Sequence, residues 1–355
     1  MKKLLNIEKI KKPRKKIFLI SRPFLNDTSG TGEQYATNLF YRSLSKEHDV
    51  SNVFKIGPVK PYHSIIGLVF YDYAYSLFAL FLCKLKRINH AFFSSPHQGF
   101  FIYFFKLFGI KTIVYFQDCF FINNRFKNIF DRYSFYLYKK CFKYADHMVT
   151  STRDNQELAE KYFLKKAYIV PLYLDDTFNV DFTEKKFAPN FGYIGGYQKG
   201  RKRTDLIISF LQGVSHKINF SFAGHIRGEF LEKLKTVANP NVFVNIVGPI
   251  SFFDKVNFYK DTCFLFFPTS LEGFGLPILE ALRTSTVPII FKDAEIPNVL
   301  KTACIQVEKT EDIDGVLGAF ENDQAYYAKT IREGHSYSLK FSENALIKFV
   351  NDVIS

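Results

Sequence analysis

The stretch Phe267-Pro268-Thr269-Ser270-Leu271-Glu272-Gly273-Phe274-Gly275-Leu276-Pro277-Ile278-Leu279-Glu280-Ala281 decides how this chain folds. The run leading into it, Cys263-Phe264-Leu265-Phe266-Phe267, is continuously apolar, as expected of a strand covered on both faces in a parallel sheet. Gly273 and Gly275 let the backbone turn tightly, and Pro277 sits where the first turn of a helix tolerates proline. Strand, glycine turn and helix start make an anion site, because the first helical amides lack internal partners and the helix dipole directs its positive end at the turn. Glu272 falls in that turn. Glu280, about one turn into the helix, can point back toward the same crevice while Ile278, Leu279 and Leu282 pack beneath. Amides suit phosphate, and paired carboxylates accept hydrogen bonds from polyol hydroxyls, so a nucleotide sugar satisfies both parts of the crevice. An ordinary Rossmann-type strand, loop and helix with two solvated glutamates is the plainer alternative.

At 355 residues the chain exceeds the size one core usually serves, so two domains of ordinary size are expected, and an apolar content of 47% is enough to fill both. The 42 Phe and 21 Tyr beside no Trp and 2 Met read first as a bias of base composition and only then as function. The five cysteines, Cys83, Cys119, Cys141, Cys263 and Cys304, are odd in number and widely spaced. They fit reduced thiols in a cytoplasmic protein rather than a disulfide framework or a zinc site. No His/Cys cluster offers a metal its ligands, and no metal or other cofactor is expected.

The formal charge of +14 is one-sided: residues 1–175 hold 28 Lys and Arg against 13 Asp and Glu, so the whole excess lies there. A basic arm, residues 1–16, adjoins this basic half. Each Lys or Arg near an anionic bilayer contributes roughly 1 kcal/mol of attraction. No nucleic-acid motif accompanies the charge, so an anionic membrane surface or an acidic acceptor is expected as partner rather than nucleic acid.

Residues 7–16 are mostly charged and Ile17-Phe18-Leu19-Ile20 is too short for the apolar core of a signal peptide; it reads as a first parallel strand. A loop containing Gly30 and Gly32 follows, then a helix face marked by Tyr35, Leu39 and Leu44, then a second strand around Val53 and Phe54. The glycines lie too far past the strand for a nicotinamide fingerprint, and its third glycine is missing. Residues 65–83 form the most apolar segment, with three readings in descending order: a buried crossover helix, a helix lying in a membrane interface, and a transmembrane helix, which a central Asp72 disfavours. Strands ending near Ser94 and Phe116 place His97, Gln117 and Asp118 at the carboxyl edge of a sheet, where ligands bind in open α/β folds. Residues 175–190 dissolve into charge, Pro and Asn and read as a linker. The second domain opens with Phe191-Gly192-Tyr193-Ile194-Gly195-Gly196, then Lys199, Arg201, Lys202 and Arg203 cluster at a helix start, a charge pattern suited to diphosphate.

The block from Pro268 to Ala281 resembles the motif of retaining glycosyltransferases of family 4: a glutamate, Gly-Phe-Gly-Leu-Pro, and a second glutamate after seven intervening residues. The resemblance implies a GT-B fold, two Rossmann-like α/β domains facing across a cleft. It implies that Glu272 meets donor-sugar hydroxyls, that Glu280 holds the nucleotide ribose, and that Gly273, Phe274, Gly275 and Leu276 lie against sugar and diphosphate. Gly32 matches the glycine loop of the family's first helix, facing donor and acceptor. Gly195 and Gly196 end the strand beside the diphosphate; Lys202 and Arg201 match the basic pair that neutralises it, with Lys199 or Arg203 as substitutes. Asp118 matches an aspartate that orients the acceptor, although Gln117 replaces a frequent histidine, and His97 is a further candidate by position. The family's usual Gly-x-Pro-Val after the helix reads Ser285-Thr286-Val287-Pro288 here.

The expected architecture is thus a basic arm (1–16), an acceptor-side domain (17–174), a linker (175–190), a nucleotide-sugar domain (191–335), and a C-terminal segment (336–355) crossing back to the first domain. The expected activity is metal-independent retaining transfer of a sugar from a nucleotide donor to a saccharide or lipid-linked acceptor in surface-glycan synthesis, in the cytoplasm or at the cytoplasmic face of a membrane. Other chemistry in the same crevice (a phosphorylase, a nucleotide-sugar epimerase) and a non-catalytic membrane-surface protein are the alternatives.

Overall fold

Two parallel sheets, each of six strands among the described residues, organise the chain. The computed structural model describes residues 14–20, 32–52, 65–96, 101–117, 129–196, 200–226 and 228–354. The first sheet is built from β1 (Lys16–Ile20), β2 (Asp49–Asn52), β3 (His90–Phe93), β4 (Lys111–Phe116), β5 (His147–Thr150) and β6 (Tyr168–Ile169), in the order β2-β1-β3-β4-β5-β6. Helices α1 (Gly32–Glu47), α2 (Ile65–Leu85), α3 (Ile102–Leu107), α4 (Ile129–Tyr144) and α5 (Arg153–Phe163) lie between these strands in sequence. The second sheet comprises β7 (Asn190–Ile194), β8 (Ile218–Ala223), β9 (Val242–Gly248), β10 (Phe264–Phe266), β11 (Val287–Phe291) and β12 (Ile305–Val307), in the order β12-β11-β10-β7-β8-β9. Its helices are α6 (Asp205–Gly213), α7 (Glu229–Lys235), α8 (Phe252–Lys260), α9 (Leu276–Arg283), α10 (Asn298–Lys301), α11 (Asp312–Asn322) and α12 (Gln324–Ser338); α13 (Asn344–Phe349) follows.

The central strands β3 and β10 are buried at every position, β10 as its unbroken apolar run requires and β3 with His90 buried at its start. The phenylalanine surplus fills these layers with ring-on-ring contacts, such as Phe142 on Phe163 at 4.4 Å and Phe191 on Phe264 at 5.1 Å. The second strand, β2, is described over Asp49–Asn52, with Asp49 in register with Lys16 and Asn52 with Leu19; Val53 and Phe54, around which it was expected, lie outside the described residues. A short polar strand at a sheet edge carries almost no hydrophobic periodicity to read.

Helix α2 covers residues 65–83 as a crossover between β2 and β3, with an unusual outer face. Tyr75, Ala79, Leu80 and Cys83 are buried against the first sheet, while Leu77, Phe78, Phe81 and Leu85 are exposed. Among the described residues no helix is long and apolar enough to cross a membrane.

The segment 175–190 is anchored at both ends. The Asp175 amide donates to the Tyr35 hydroxyl of α1 at 2.9 Å, and Arg42 pairs with the Asp175 carboxylate at 3.5 Å. Phe178 is fully buried against Tyr259, and the Lys185 ammonium donates to the Tyr259 and Thr262 carbonyls and to Thr286 Oγ1 at 2.7–2.8 Å. The other end of the chain returns likewise. After α12, which packs on α9, helix α13 lies on α1, and Glu343 receives hydrogen bonds from Ser43 (2.5 Å) and Lys46 (2.6 and 2.8 Å).

Burial opposes ionisation of Glu343, but hydrogen bonds from Lys46 and Ser43, together with the Lys46 charge, outweigh it and hold its carboxyl below the ordinary range. A depressed folded-state pKa contributes stability that is complete above the unfolded value, about 4.3, and is lost as pH falls through the folded one. Wild type should therefore melt above Glu343→Gln at neutral pH, and the gap should close below about pH 4. A pH-independent gap in melting temperature would show that this carboxylate is not what the tie depends on.

Candidate functional site

Strands β7 and β10 are neighbours, and from them the chain order runs outward in opposite directions, through β8 and β9 on one side and β11 and β12 on the other. Such a reversal opens a crevice at the strands' carboxyl ends, the place where doubly wound sheets bind ligands. The two motifs separated by about seventy residues in sequence meet there.

Their meeting point is Glu272. Lys202 Nζ donates to Glu272 Oε1 at 2.8 Å, Arg201 Nη1 lies 3.6 Å from Oε2, and Thr269 Oγ1 is 3.0 Å from Oε1. Backbone contacts fix the two loops together: the Ser270 amide donates to the Arg201 carbonyl at 2.7 Å, and Lys202 Nζ rests 5.0 Å from the centre of the Phe267 ring. The side chains of Glu272 and Lys202 are 11% and 16% exposed, so the pair is sheltered yet reachable from the crevice. Arg203, one of the two possible substitutes in the basic pair, is committed elsewhere. It donates to the Pro268 and Thr269 carbonyls at 2.7 and 3.1 Å, and forks onto Asp293 at 2.8 and 3.0 Å, bracing the turn instead of facing a ligand. Lys199, His97 and Asp118 lie outside the described residues, and Gly32 opens α1.

The glycines shape the floor of the crevice. Gly195 and Gly196 follow β7, and the Gly195 amide donates to the Ala223 carbonyl at 2.9 Å. Gly275 caps α9 with φ +98°, in the left-handed region that favours glycine, and its carbonyl accepts from the Ile278 and Leu279 amides at 3.0 and 3.3 Å. Leu276 and Pro277 begin the helix, and Phe274 is buried against Phe341. Gly273 is held from the other domain: Asn155 Nδ2, on α5, donates to the Gly273 carbonyl at 3.1 Å and to the Gln117 carbonyl at 2.7 Å. After α9, Ser285 stands at φ +57° where the resembling family has glycine.

Glu280 does not join the Glu272 cluster. Only 1% exposed, it accepts from Tyr259 Oη at 2.9 Å and from Lys255 Nζ at 3.1 Å, both on α8. Burial above all, then the Glu280 charge, holds the Tyr259 phenol far above its ordinary pKa, so it remains a proton donor to this carboxylate. Tyr259→Phe removes that donor from a buried acceptor and should cost about 1–3 kcal/mol, lowering the melting temperature by several degrees. An unchanged melt would mean that another group takes over the oxygen. Asn155, Lys255 and Tyr259 were not apparent from the sequence; nothing in helix periodicity marks which polar residue crosses to another element.

The sequence contains one Asp-x-Asp tripeptide, Asp312-Ile313-Asp314, a spacing that could hold a metal. Asp312, at the start of α11, accepts from the Glu308 and Lys309 amides of the preceding turn, and Asp314 accepts from the Ser215 and His216 amides and contacts His216 Nδ1 at 2.6 Å. Among the described residues no group of three or more acidic, His or Cys side chains could hold a metal ion.

Residues 176–335 match the model of the family described as glycosyl transferases group 1, and the two facing Rossmann-like units have the GT-B fold. Sucrose-phosphate synthase from Thermosynechococcus elongatus superimposes with a TM-score of 0.73 at 13% identity, covering 96% of this chain and 98% of that one. HepE of Anabaena, solved in complex with UDP-glucose, gives 0.70 at 10% identity over 96% and 99% of the two chains. WaaG, a glycosyltransferase involved in lipopolysaccharide biosynthesis, gives 0.68 at 14% identity over 96% and 99%. No curated protein matches the chain by sequence.

Proposed function

We propose that this protein is a retaining glycosyltransferase of family 4 that moves a sugar from a nucleotide-diphosphate donor to a saccharide or lipid-linked acceptor in surface-glycan synthesis, without a metal. The observation that carries this reading is the convergence of Lys202 and Arg201 on Glu272 at the carboxyl ends of β7 and β10. The match of residues 176–335 supports the class, and the UDP-glucose complex of HepE supports a nucleotide sugar as donor.

The contacts describe a site whose charges are stored against one another. An arriving diphosphate competes with Glu272 for the two cations, and the released carboxylate becomes free to accept hydrogen bonds from the sugar hydroxyls. As the anomeric C–O bond breaks, its electron pair passes to the leaving phosphate oxygen, where Lys202, Arg201 and the amides near Gly275 stabilise the growing charge. The acceptor oxygen then bonds to the anomeric carbon from the same face, and its proton passes to the departing phosphate. Asp118 and His97 are the proposed acceptor-side groups, Gly32, Gly195 and Gly196 the backbone positions nearest the diphosphate, and Glu280 the ribose contact, reached by exchange with Lys255 or Tyr259. The cytoplasm, where nucleotide sugars are at hand, is the proposed location.

A thermal-shift screen with UDP-, GDP- and CMP-sugars tests the donor, since a ligand that binds only the folded state raises its melting temperature. Absence of any shift, confirmed by calorimetry, would leave a non-catalytic surface protein. Phosphate-dependent turnover would indicate a phosphorylase, and a changed sugar without acceptor an epimerase.

A further inference from the structure

Helices α2, α3 and α4 pack side by side on one face of the first sheet: Tyr75, Ala79 and Cys83 of α2, Phe105 of α3, and Cys141 and Phe142 of α4 belong to one core with β1, β3, β4 and β5. The outward side of a surface helix is ordinarily polar, and extended exposed apolar patches on single chains are uncommon. Here the outward side is largely apolar on α2 and α3, and on α4 Ile129 and Tyr136 stand exposed among Arg132, Lys139 and Lys143. Phe81 is 61% exposed and Leu85 67% on α2; Leu107 is 61% exposed and Phe108, just after α3, is 50%; Tyr136 of α4 is 46% exposed. These residues belong to a continuous face. Lys84 Nζ of α2 donates to the Phe108 carbonyl at 3.1 Å and lies 4.8 Å from its ring centre, and Tyr103 of α3 meets Tyr144 of α4 at 5.0 Å.

The charge interleaved with these rings is mostly positive, with Lys106 paired to Asp146, just beyond α4, at 3.3 Å. Lys84, Lys86, Arg87, Lys106 and Lys143 are exposed and Lys140 half-buried, whereas the acids of the three helices are Asp72 and Asp131, and Asp131 is 8% exposed. A second copy of the same face would set cations against cations. A planar anionic surface with an apolar interior complements both properties at once, because rings and leucines enter the headgroup boundary while lysines extend from their apolar stems to lipid phosphates.

We propose that the outer face of α2, α3 and α4 is the seat of the protein on an anionic phospholipid bilayer. This deepens the lipid-linked acceptor of the proposed function and rests on it for its purpose, though not for its chemistry. In a parallel α/β layer each crossover helix starts at the carboxyl edge of the sheet. The crevice therefore lies at one end of this face, beside the headgroups from which a lipid-borne acceptor would enter.

Flotation of the full chain with phosphatidylcholine vesicles, with and without phosphatidylglycerol, tests the proposal. Wild type should bind only the anionic vesicles. Phe81→Ser/Leu107→Ser/Phe108→Ser should weaken that binding about tenfold or more while keeping the wild-type melting temperature and nucleotide-sugar affinity. Lys84→Glu/Lys86→Glu should weaken it similarly and reduce its salt dependence. The basic arm is intact in both variants, so unchanged binding by both would overturn the proposal in favour of the arm alone. Failure of wild type to bind would overturn it too, as would a concentration-dependent dimer by light scattering that the serine variant abolishes. Vesicle binding without nucleotide-sugar binding would leave the docking face standing and remove the enzymatic reading instead.

Discussion

Lys202→Ala will lower kcat by about two to three orders of magnitude, the usual loss when one preorganised electrostatic partner of a developing charge is removed. The expectation follows from position. Lys202 Nζ sits between Glu272 Oε1 and the Phe267 ring, in a loop tied to its neighbour through the Arg201 carbonyl. Its ammonium is therefore already oriented before a donor arrives, and little reorganisation is needed when charge gathers on the leaving diphosphate. Because that charge grows between ground and transition state, kcat should fall more than KM rises. Stability should change little, since Arg201 and Thr269 Oγ1 still face the Glu272 carboxylate. Glu272→Ala should also reduce turnover strongly, by a different route: it leaves the cations in place and takes away the acceptor for sugar hydroxyls, so inorganic diphosphate should still bind. Lys202→Arg keeps the charge but replaces a compact ammonium by a planar fork and should recover only part of the rate. Wild-type turnover in Lys202→Ala would remove this residue from the mechanism.

Gly224→Ala is expected to be the most destabilising single methyl addition in the second domain, costing roughly 4 kcal/mol or more. Gly224 ends β8 at φ +146°, and a Cβ placed on it would lie 1.8 Å from the Gly195 carbonyl oxygen and 2.6 Å from its carbon. Both atoms are backbone, so no side chain can swing aside; the ends of β7 and β8 would have to separate. Those ends form the crevice floor, and the loss should appear twice, as a melting temperature lowered by 10 °C or more, about 2–4 °C per kcal/mol, and as lost nucleotide-sugar binding. Gly213→Ala, at the end of α6, is the control, because a Cβ there meets nothing within 4 Å. A Gly224→Ala protein melting within a couple of degrees of wild type would contradict the close approach of these two strands.

Much of the architecture was legible because several strands announce themselves as unbroken apolar runs, Ile17-Phe18-Leu19-Ile20 and Phe264-Leu265-Phe266 being the plainest. The pairing of Asp49-Val50-Ser51-Asn52 was not legible because this segment at a sheet edge has no such run; register with β1, a property of two segments, decides it. In the site, the residue types near Glu272 could be read from charge and resemblance, but which cation reaches it could not. Arg203 and Lys202 are adjacent in sequence, and only the left-handed backbone at Arg203, φ +43°, sends the former to Asp293 and the latter to Glu272. Glu280 shows the same limit from the other side. Helix spacing places it correctly on α9, yet its partners come from α8, and sequence distance conceals them.

Asn155 gives the cleft a further property. One amide nitrogen serves a carbonyl in each half of the molecule, so any separation of the two halves at this point would strip the Gly273 oxygen of this hydrogen-bond donor. Water entering the gap would then be the natural replacement, so parting the halves and wetting the Gly273 carbonyl would be one event.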